Sequence, residues 1–558
     1  MLFILESPSK AKTISSILKK MNIKNFKIVA TMGHIKDLPK NNFGLSVQNG
    51  QIKATFTFLP KKRRIIESIS KMLNNYKNVI LATDPDREGE AISFHLYDEL
   101  SKYNRVVNFK RAYIYEITDF GIKKALENLG SINYSMVESQ IARRVIDRII
   151  GYKISPILWK KFTIKGLSAG RVQTATLKLI YDREKQIENF KPQKYYTIRF
   201  KILANKQILQ AYLFKDKQIL TVQTIDELDQ IKNSIEKLKN KTFLVKPMVY
   251  SKEIIPPDPL KTSTLQQEAA KVGINNSQTM KITQKLYEGV YIQGKKVGLI
   301  TYHRTDSIRL SDHAISIAKK ILPEVVVYNR KNKSSFDAHE AIRITSTYDL
   351  QTLQRYLSPL EFKVYGIIYR RFLASLSPSC KYLYQEVNIS VGQGMYILYE
   401  SAKVIEKGFL NILPDYLDRM NIFRNPFIES DKVEIKILDY SVEEHYTKPP
   451  SRYTLSSIIK KMEEVGIGRP STYSSTIETL KNRKYIEIKK GSIHITELGK
   501  KVVEFLFGLY SSFLSVEFTS YLEQKLDDIE NSDYQQARKI ANQEMLRVYN
   551  ILKSNSGV

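Results

Sequence analysis

Short apolar runs alternate with helical patterns through the first 150 residues. Leu2-Phe3-Ile4-Leu5 reads as a strand and residues 9–20 as a helix; Val79-Ile80-Leu81-Ala82 reads as another strand, followed by a helix from Glu88 to Leu100. Strands alternating with helices predict a mostly parallel α/β sheet. Residues 139–189 read as largely helical and rich in Arg. From Tyr195 to about Tyr250 the apolar period falls to two, as in Tyr196-Thr197-Ile198-Arg199-Phe200, which predicts strands. Pro256-Pro257-Asp258-Pro259 closes that stretch, because prolines of this spacing forbid helix continuation. Residues 262–375 read helical, 383–440 return to strands, and from 446 onward the pattern is helical with one hairpin. A helical block bracketed by β-rich segments predicts an inserted domain carried on a two-part β hinge. There is no internal repeat and no low-complexity tract.

Composition narrows the partners. The 558 residues predict several domains, and 42% hydrophobic content is enough for substantial cores. Lys and Arg total 88 against 57 Asp and Glu, a net charge of +31. Such an excess favours a polyanion, although on charge alone a Lys-rich solvated surface is an equal reading. The single cysteine, Cys380, excludes a disulfide framework and a cysteine-based zinc site, and the seven histidines lack ligand spacing. The apolar run at the amino terminus is too short for a signal peptide, and no apolar segment is long enough to span a membrane. These features predict a cytoplasmic protein.

The strongest local signal is Thr83-Asp84-Pro85-Asp86-Arg87-Glu88-Gly89-Glu90, directly after a strand. Asp84, Asp86 and Glu88 are spaced by two, so an extended backbone would point them the same way. Converging carboxylates repel unless a cation lies between them, and hard oxygen donors suit Mg²⁺. Glu6 supplies a fourth carboxylate at another strand end, and ends of parallel strands gather at one edge. The competing reading is a solvated acidic turn that caps the next helix.

Two acidic strand ends in this order resemble the Toprim domain shared by type IA and type II topoisomerases, bacterial primases and some nucleases. Glu6-Ser7-Pro8-Ser9-Lys10-Ala11-Lys12-Thr13 and Gly33-His34-Ile35-Lys36-Asp37-Leu38-Pro39 are similar to the ESPxKAKT and GHxxDLP motifs of type IA topoisomerases. Among 34 tyrosines, Tyr302 stands out in Leu299-Ile300-Thr301-Tyr302-His303-Arg304-Thr305-Asp306-Ser307. Local chemistry alone favours core packing for it. The run nevertheless closely matches the active-site motif of the same family, which reverses that preference. A phenol, with a pKa near 10, is a better leaving group than an alkyl hydroxyl, so an ester to tyrosine is readily reversed. The resemblance implies that Tyr302 links to a 5′ phosphate and leaves a 3′ hydroxyl. It implies Glu6 as acid/base, Lys10 as phosphate neutraliser and Arg304 as transition-state stabiliser. Asp84, Asp86 and Glu88, with Glu6 sharing, would hold Mg²⁺. Gly289 to Lys296 is a near miss for a phosphate loop, but Lys296 replaces the metal-binding Ser or Thr, so no ATP site is expected.

Further segments continue the family pattern and imply contacts to single-stranded DNA. These are His34 in the second motif, then Arg143, Arg144 and Asp147, with Arg144 and Arg148 on one helical face. Tyr152 and Trp159 would stack on bases, although for a lone Trp core packing is the commoner role. Ser168, Ala169, Gly170, Arg171, Val172 and Gln173 form a small-residue motif whose backbone approaches phosphates, with Arg171 and Gln173 reaching the strand. Asp337-Ala338-His339-Glu340-Ala341-Ile342-Arg343 matches the family's HEAIR segment and would present His339 and Arg343 on one helical face. Residues 454–496 outline a winged-helix-like unit. Its Gly466-Ile467-Gly468-Arg469-Pro470-Ser471-Thr472-Tyr473 matches the bacterial topoisomerase I version, where Arg469 and the helix start would hold a phosphate; Ser471 alternatively caps the helix.

The resemblance runs over residues 1–530 in the family's order. It implies a multidomain α/β plus α and β protein with a Rossmann-like Toprim domain in a toroidal core. The expected division is 1–138 for Toprim, 139–194 with 446–558 for a split helical strand-binding domain, 195–255 with 379–445 for the β hinge, and 256–378 for the helical domain carrying Tyr302. Tyr302 is expected at the Toprim interface. The implied activity is relaxation of negatively supercoiled DNA by a monomer at the nucleoid, dependent on Mg²⁺ and independent of ATP and zinc. A topoisomerase III-like decatenase, another Toprim enzyme and a non-catalytic DNA-binding protein are the alternatives. Many bacterial relatives add zinc modules or a basic tail; the residues up to Val558 show neither, so strand capture is assigned to basic surface in the core and no RNA polymerase contact is specified.

Overall fold

Lys27–Ala30, Leu2–Leu5, Asn78–Ala82 and Asn108–Arg111 lie side by side in that order and all run parallel. The computed structural model describes residues 1–554 apart from 104–105, 331–338, 419 and 512. Leu2–Leu5 is buried throughout because this sheet is covered on both faces, as parallel sheets require. The period of two sorts its residues. Leu2, Ile4, Val79 and Leu81 pack with Ile66, Ile69, Ile92 and Leu96 of helices Lys62–Met72 and Arg87–Leu100. Phe3, Leu5, Ile80 and Ala82 point the other way, into a core shared with Leu265, Leu286, Ile300, Tyr302 and Ile342. One apolar core is thus built by the start of the chain and by a segment 260 residues further on.

The β-rich segments form one antiparallel sheet. Its order is Thr242–Val245, Val433–Tyr446, Lys194–Ala204, Gln207–Lys215, Met395–Glu406, Cys380–Gly392 and Met248–Ile254, with Gln218–Ile219 added to Gln207–Lys215. Both halves of the expected hinge contribute, and Val433–Tyr446 pairs directly with Lys194–Ala204. A helix, Ile225–Glu236, interrupts the first half where strands were predicted; Leu228, Ile231 and Ile235 form its buried face, and the Thr224 hydroxyl caps it by accepting the Glu227 N–H. The helical reading of 262–375 also needs correction. Helices Thr262–Lys271, Asn276–Glu288, Asp312–Lys319 and Pro359–Ser375 are present. Between them lie a hairpin, Val290–Ile292 with Lys295–Val297, and an irregular run carrying Tyr302 that bridges Ile300 to Ile344. That run is held by a distant strand-like segment, a long-range pairing that local periodicity does not report.

Helices Tyr134–Phe162 and Arg171–Glu188 share a core with residues 453–552. The ring of segments closes through non-covalent contacts. Helix Thr262–Lys271 packs on Leu455–Glu464 with a Lys261–Glu463 ion pair, and the tyrosine segment packs on the parallel sheet. No helix among the described residues is long and apolar enough to cross a membrane.

An ionic knot joins the split helical part to helix Arg87–Leu100. Arg171 Nη1 is 2.6 Å from Glu523 Oε1, both fully buried, and Arg469 Nη1 is 3.7 Å from Glu523 Oε2. Arg87 Nη2 reaches Asp527 at 3.0 Å and Glu530 at 2.8 Å. Burial by itself would raise the Glu523 carboxyl, but Arg171, Arg143, Arg469 and Arg87 outweigh it and hold it far below the carboxylate range. A depressed folded pKa means that Glu523 contributes its stability fully above its unfolded value of about 4.3 and loses it as pH falls towards the folded value. Glu523→Gln strands buried cations and is expected to cost about 3–5 kcal/mol. Denaturant melts should show that loss at neutral pH and a narrowing gap between variant and wild type below about pH 4.

Candidate active site

Leu5 and Ala82 are register partners on adjacent strands, so Glu6 and the Thr83–Asp86 turn leave the sheet at the same edge. The backbone cannot stay extended beyond Asp86. Asp86 is the N-cap of helix Arg87–Leu100, its carboxylate accepting the Gly89 N–H at 2.8 Å. The expected common direction of Asp84, Asp86 and Glu88 is therefore corrected, since side-chain alternation requires an extended chain. Asp84 is buried and pairs with Lys10. Asp86 and Glu88 instead line a cavity of about 410 Å³.

Tyr302 arrives at this edge from the other side of the shared core. Its hydroxyl donates to Asp86 Oδ2 at 2.6 Å, and its N–H donates to the Tyr115 carbonyl at 2.7 Å. Burial and then the Asp86 charge push the phenol well above its ordinary value of 10, against the pull of Arg304. Arg304 Nη1 lies 3.8 Å from Asp86 and 3.5 Å from Glu88. Burial also pushes Asp86 up, but Arg304, the Tyr302 hydroxyl and the Gly89 N–H prevail and keep it ionised. Glu6 is raised, first by burial and then by repulsion from Asp86 and Glu88, with Lys10 opposing. Lys10 is lowered to about 8 by burial despite the charge of Glu6. His34 Nε2 sits 3.1 Å from Glu88 Oε1, and this contact outweighs burial to raise the imidazole.

Four carboxylates, Glu6, Asp84, Asp86 and Glu88, thus gather around two basic side chains, Lys10 and Arg304. This donor set suits a divalent, oxygen-preferring cation. Among the described residues, no three His, Cys, Asp or Glu side chains are gathered closely enough to form a ready metal cluster. Asp84 is engaged by Lys10, so Asp86 and Glu88, with Glu6 behind them, are the oxygens facing the cavity side.

The cavity also collects side chains from distant segments. Arg143, Arg144 and Asp147 line it from helix Tyr134–Phe162, joined by His34, His339, Arg469 and Ser471. Arg144 forks onto Asp37 at 2.8 and 2.6 Å. Ser471 does not cap the next helix; Thr472 occupies that position and makes no side-chain cap bond. His339 Nε2 contacts the Pro85 carbonyl. Asp337 and Ala338 of the same motif lie outside the described residues.

Other sequence-selected residues lie away from the cavity lining. Tyr152 tilts against Phe43, and Trp159 donates its indole N–H to the Leu167 carbonyl at 2.6 Å; each is about 40% exposed. In the small-residue loop, the Gln173 amide and the Tyr485 hydroxyl donate to the Ser168 carbonyl, at 2.9 and 3.0 Å. Ala169 and Val172 are buried, while Gly170 is the N-cap of helix Arg171–Glu188. Two arginines depart from expectation. Arg171 does not reach a strand-binding surface but is buried against Glu523 and Asp147. Arg343 shares no helical face with His339; residues 339–345 bridge to Leu260 and Ile300, and the Arg343 guanidinium is buried between Glu116 and Glu340. Sequence reading missed Tyr115, Glu116, Glu523 and Asp527, which carry no motif that separates them from ordinary surface carboxylates and aromatics.

Comparison with known proteins adds the family context. A Toprim domain model matches residues 1–117, and a DNA topoisomerase model matches residues 131–541. The chain is 37% identical to DNA topoisomerase 1 of Campylobacter jejuni over 96% of its own length and 77% of the relative's. It is 38% identical to that of Thermotoga maritima, covering 94% of this chain and 81% of the relative, and 37% identical to that of Aquifex aeolicus, covering 95% of each. The structure of full-length topoisomerase I from Thermotoga maritima superposes with a TM-score of 0.84 at 35% identity, covering 99% of this chain and 90% of the other.

Gly89 fixes the acidic turn. A Cβ there would lie 2.1 Å from the Asp84 carbonyl oxygen and 2.8 Å from its nitrogen, a clash with backbone that no rotamer relieves. Gly89→Ala is expected to destabilise the protein by about 1–3 kcal/mol and to disconnect Asp86 from its cap. Thermal melts and oligonucleotide-cleavage assays check this, and wild-type values in both would exclude it.

Proposed function

The chain belongs to the bacterial type IA DNA topoisomerase family, and from that premise we propose that it relaxes negatively supercoiled DNA by passing one strand through a transient break in the other. The observation that carries the reading is the 2.6 Å hydrogen bond from the Tyr302 hydroxyl to Asp86 at the acidic sheet edge. That bond sets a nucleophile beside carboxylates and cations, the arrangement that phosphoryl transfer needs.

Cleavage forms a bond from Tyr302 Oη to phosphorus and breaks the bond from phosphorus to the 3′ oxygen, while the phenol proton passes to Asp86, the carboxylate to which the hydroxyl donates. Arg304 and Lys10 supply positive charge to the phosphate oxygens, in a buried setting where such charge acts most strongly. Glu6, with its raised pKa, retains a proton near neutrality more readily than an ordinary carboxyl and donates it to the departing 3′ oxygen. In religation the 3′ hydroxyl returns its proton to Glu6 as it attacks, and the departing Tyr302 oxygen recovers its own from Asp86. The ester conserves the energy of the phosphodiester, so no ATP is needed. Asp86 and Glu88 would hold Mg²⁺, with Glu6 sharing it only when ionised, and the ion would supply positive charge to the phosphate. The strand itself would lie along the cavity lined by His34, Arg143, Arg144, His339 and Arg469. This reading has the protein act as a monomer on nucleoid DNA in the cytoplasm, with no zinc in the reaction; it names no RNA polymerase contact.

Asp84 has a different part from the one first expected: it holds Lys10 in place. The remaining motif residues, Tyr152, Trp159 and Ser168 to Gln173, are proposed to shape the approach of the strand from outside the cavity. Tyr302→Phe should abolish 5′-linked protein–DNA adduct and plasmid relaxation in Mg²⁺ while changing single-strand affinity less than about threefold, because only the reacting oxygen is removed. An adduct that survives in Tyr302→Phe would refute the assignment. Decatenation that outpaces relaxation would instead favour the topoisomerase III-like alternative.

A further inference from the structure

Five residues close a circuit across the interface between residues 1–138 and 256–378. Tyr302 donates its N–H to the Tyr115 carbonyl at 2.7 Å. The next residue, Glu116, accepts from Arg343 Nη2 at 2.8 Å. The Arg343 N–H donates to Thr301 Oγ1 at 3.0 Å, and the Arg343 carbonyl accepts the Thr301 N–H at 3.0 Å. Thr301 is covalently joined to Tyr302, which completes the loop. Within it the Glu116–Arg343 pair is the charged link, and its members are only 3% and 1% exposed.

Both partners also hold a second contact on their own side of the interface. Glu116 Oε1 accepts the Thr118 hydroxyl at 2.7 Å, and Arg343 Nε donates to Glu340 Oε2 at 2.7 Å. When the tyrosine segment parts from the parallel sheet, neither charge is left bare. This matters because an abandoned buried charge is strongly unfavourable. A planar guanidinium held on two sides also fixes direction more tightly than a point charge does.

We infer that Glu116 and Arg343 are a positioning pair that registers the Thr301–Tyr302 backbone against the acidic sheet edge each time the two segments close. The pair acts through the backbone and touches no reacting atom. Its effect rests on the reading of Tyr302 as nucleophile. It falls on the rate of the chemical step, since misplacing a reacting group by about 1 Å costs roughly 100-fold.

The test is single-turnover cleavage of a 3′-labelled single-stranded oligonucleotide in Mg²⁺ by wild type, Glu116→Gln, Arg343→Lys and the double variant. Kd for the same oligonucleotide and the thermal midpoint are measured alongside. Each single variant is expected to cleave about 10-fold slower or worse, with Kd within about twofold of wild type. The double variant should be no slower than the worse single one, because the two residues act as a unit. Losses that multiply, an unchanged rate in Glu116→Gln, or a loss confined to Kd would overturn the inference, the last by making Arg343 a DNA contact. If an Arg343 variant does not fold, Thr118→Val replaces it, removing the hydroxyl that aims Glu116 together with its cap on the Gly121 N–H, and Thr118→Asn, which keeps a helix cap, is run beside it. A smaller loss that is not additive with Glu116→Gln supports the pair, and no loss refutes it. Absence of any adduct from the wild-type protein would refute the nucleophile reading, a distinct outcome.

Discussion

The bond between Tyr302 and Asp86 exists only while two segments far apart in sequence share one apolar core. Phe3, Leu5, Ile80 and Ala82 offer the lower face of a parallel sheet, and Leu286, Ile300 and Ile342 cover it. Burial of that face brings a phenol to within 2.6 Å of a carboxylate. The same burial raises the phenol pKa and keeps the group a neutral donor. Closure thus holds the Tyr302 phenol in a protonated, hydrogen-bonded form beside the carboxylates and basic side chains of the sheet edge.

This contact is non-covalent, as is the packing of helix Thr262–Lys271 on Leu455–Glu464. The tyrosine segment is otherwise tied to the molecule through the antiparallel sheet, to which both of its ends lead. The long strands Cys380–Gly392 and Val433–Tyr446 are paired within that sheet, away from the contact with the parallel sheet. Polar groups at the parting surface are mostly provided for: Glu116 retains Thr118, Arg343 retains Glu340, and Asp86 retains the Gly89 N–H.

Charge is organised at two depths. Where helix Arg87–Leu100 meets the split helical part, Arg87 and Arg171 are matched by Glu523, Asp527 and Glu530, so they act on structure. At the sheet edge the carboxylates Glu6, Asp86 and Glu88 lie beside Lys10 and Arg304 and line or border a cavity. Arg171 illustrates the difference. Its motif suggests a phosphate ligand, but in the fold its guanidinium is paired with Glu523 and Asp147 of its own chain.

The amino-acid sequence by itself determined the alternating α/β start and the two-part β region and singled out Tyr302, Glu6 and the acidic turn, because apolar period and short motifs are local properties. It could not reveal the helix Ile225–Glu236 against a background of strands, nor the irregular run around Tyr302, whose partners lie 40 residues away in the chain. Tertiary structure alone decided that Asp84 faces Lys10 while Asp86 faces the phenol, since the start of a helix at Arg87 ends the alternation on which the sequence argument relied. It alone decided that Arg171 and Arg343 are buried ion-pair partners. A guanidinium takes its role from whichever anion packing brings within about 3 Å, and packing is fixed by contacts that span the whole chain.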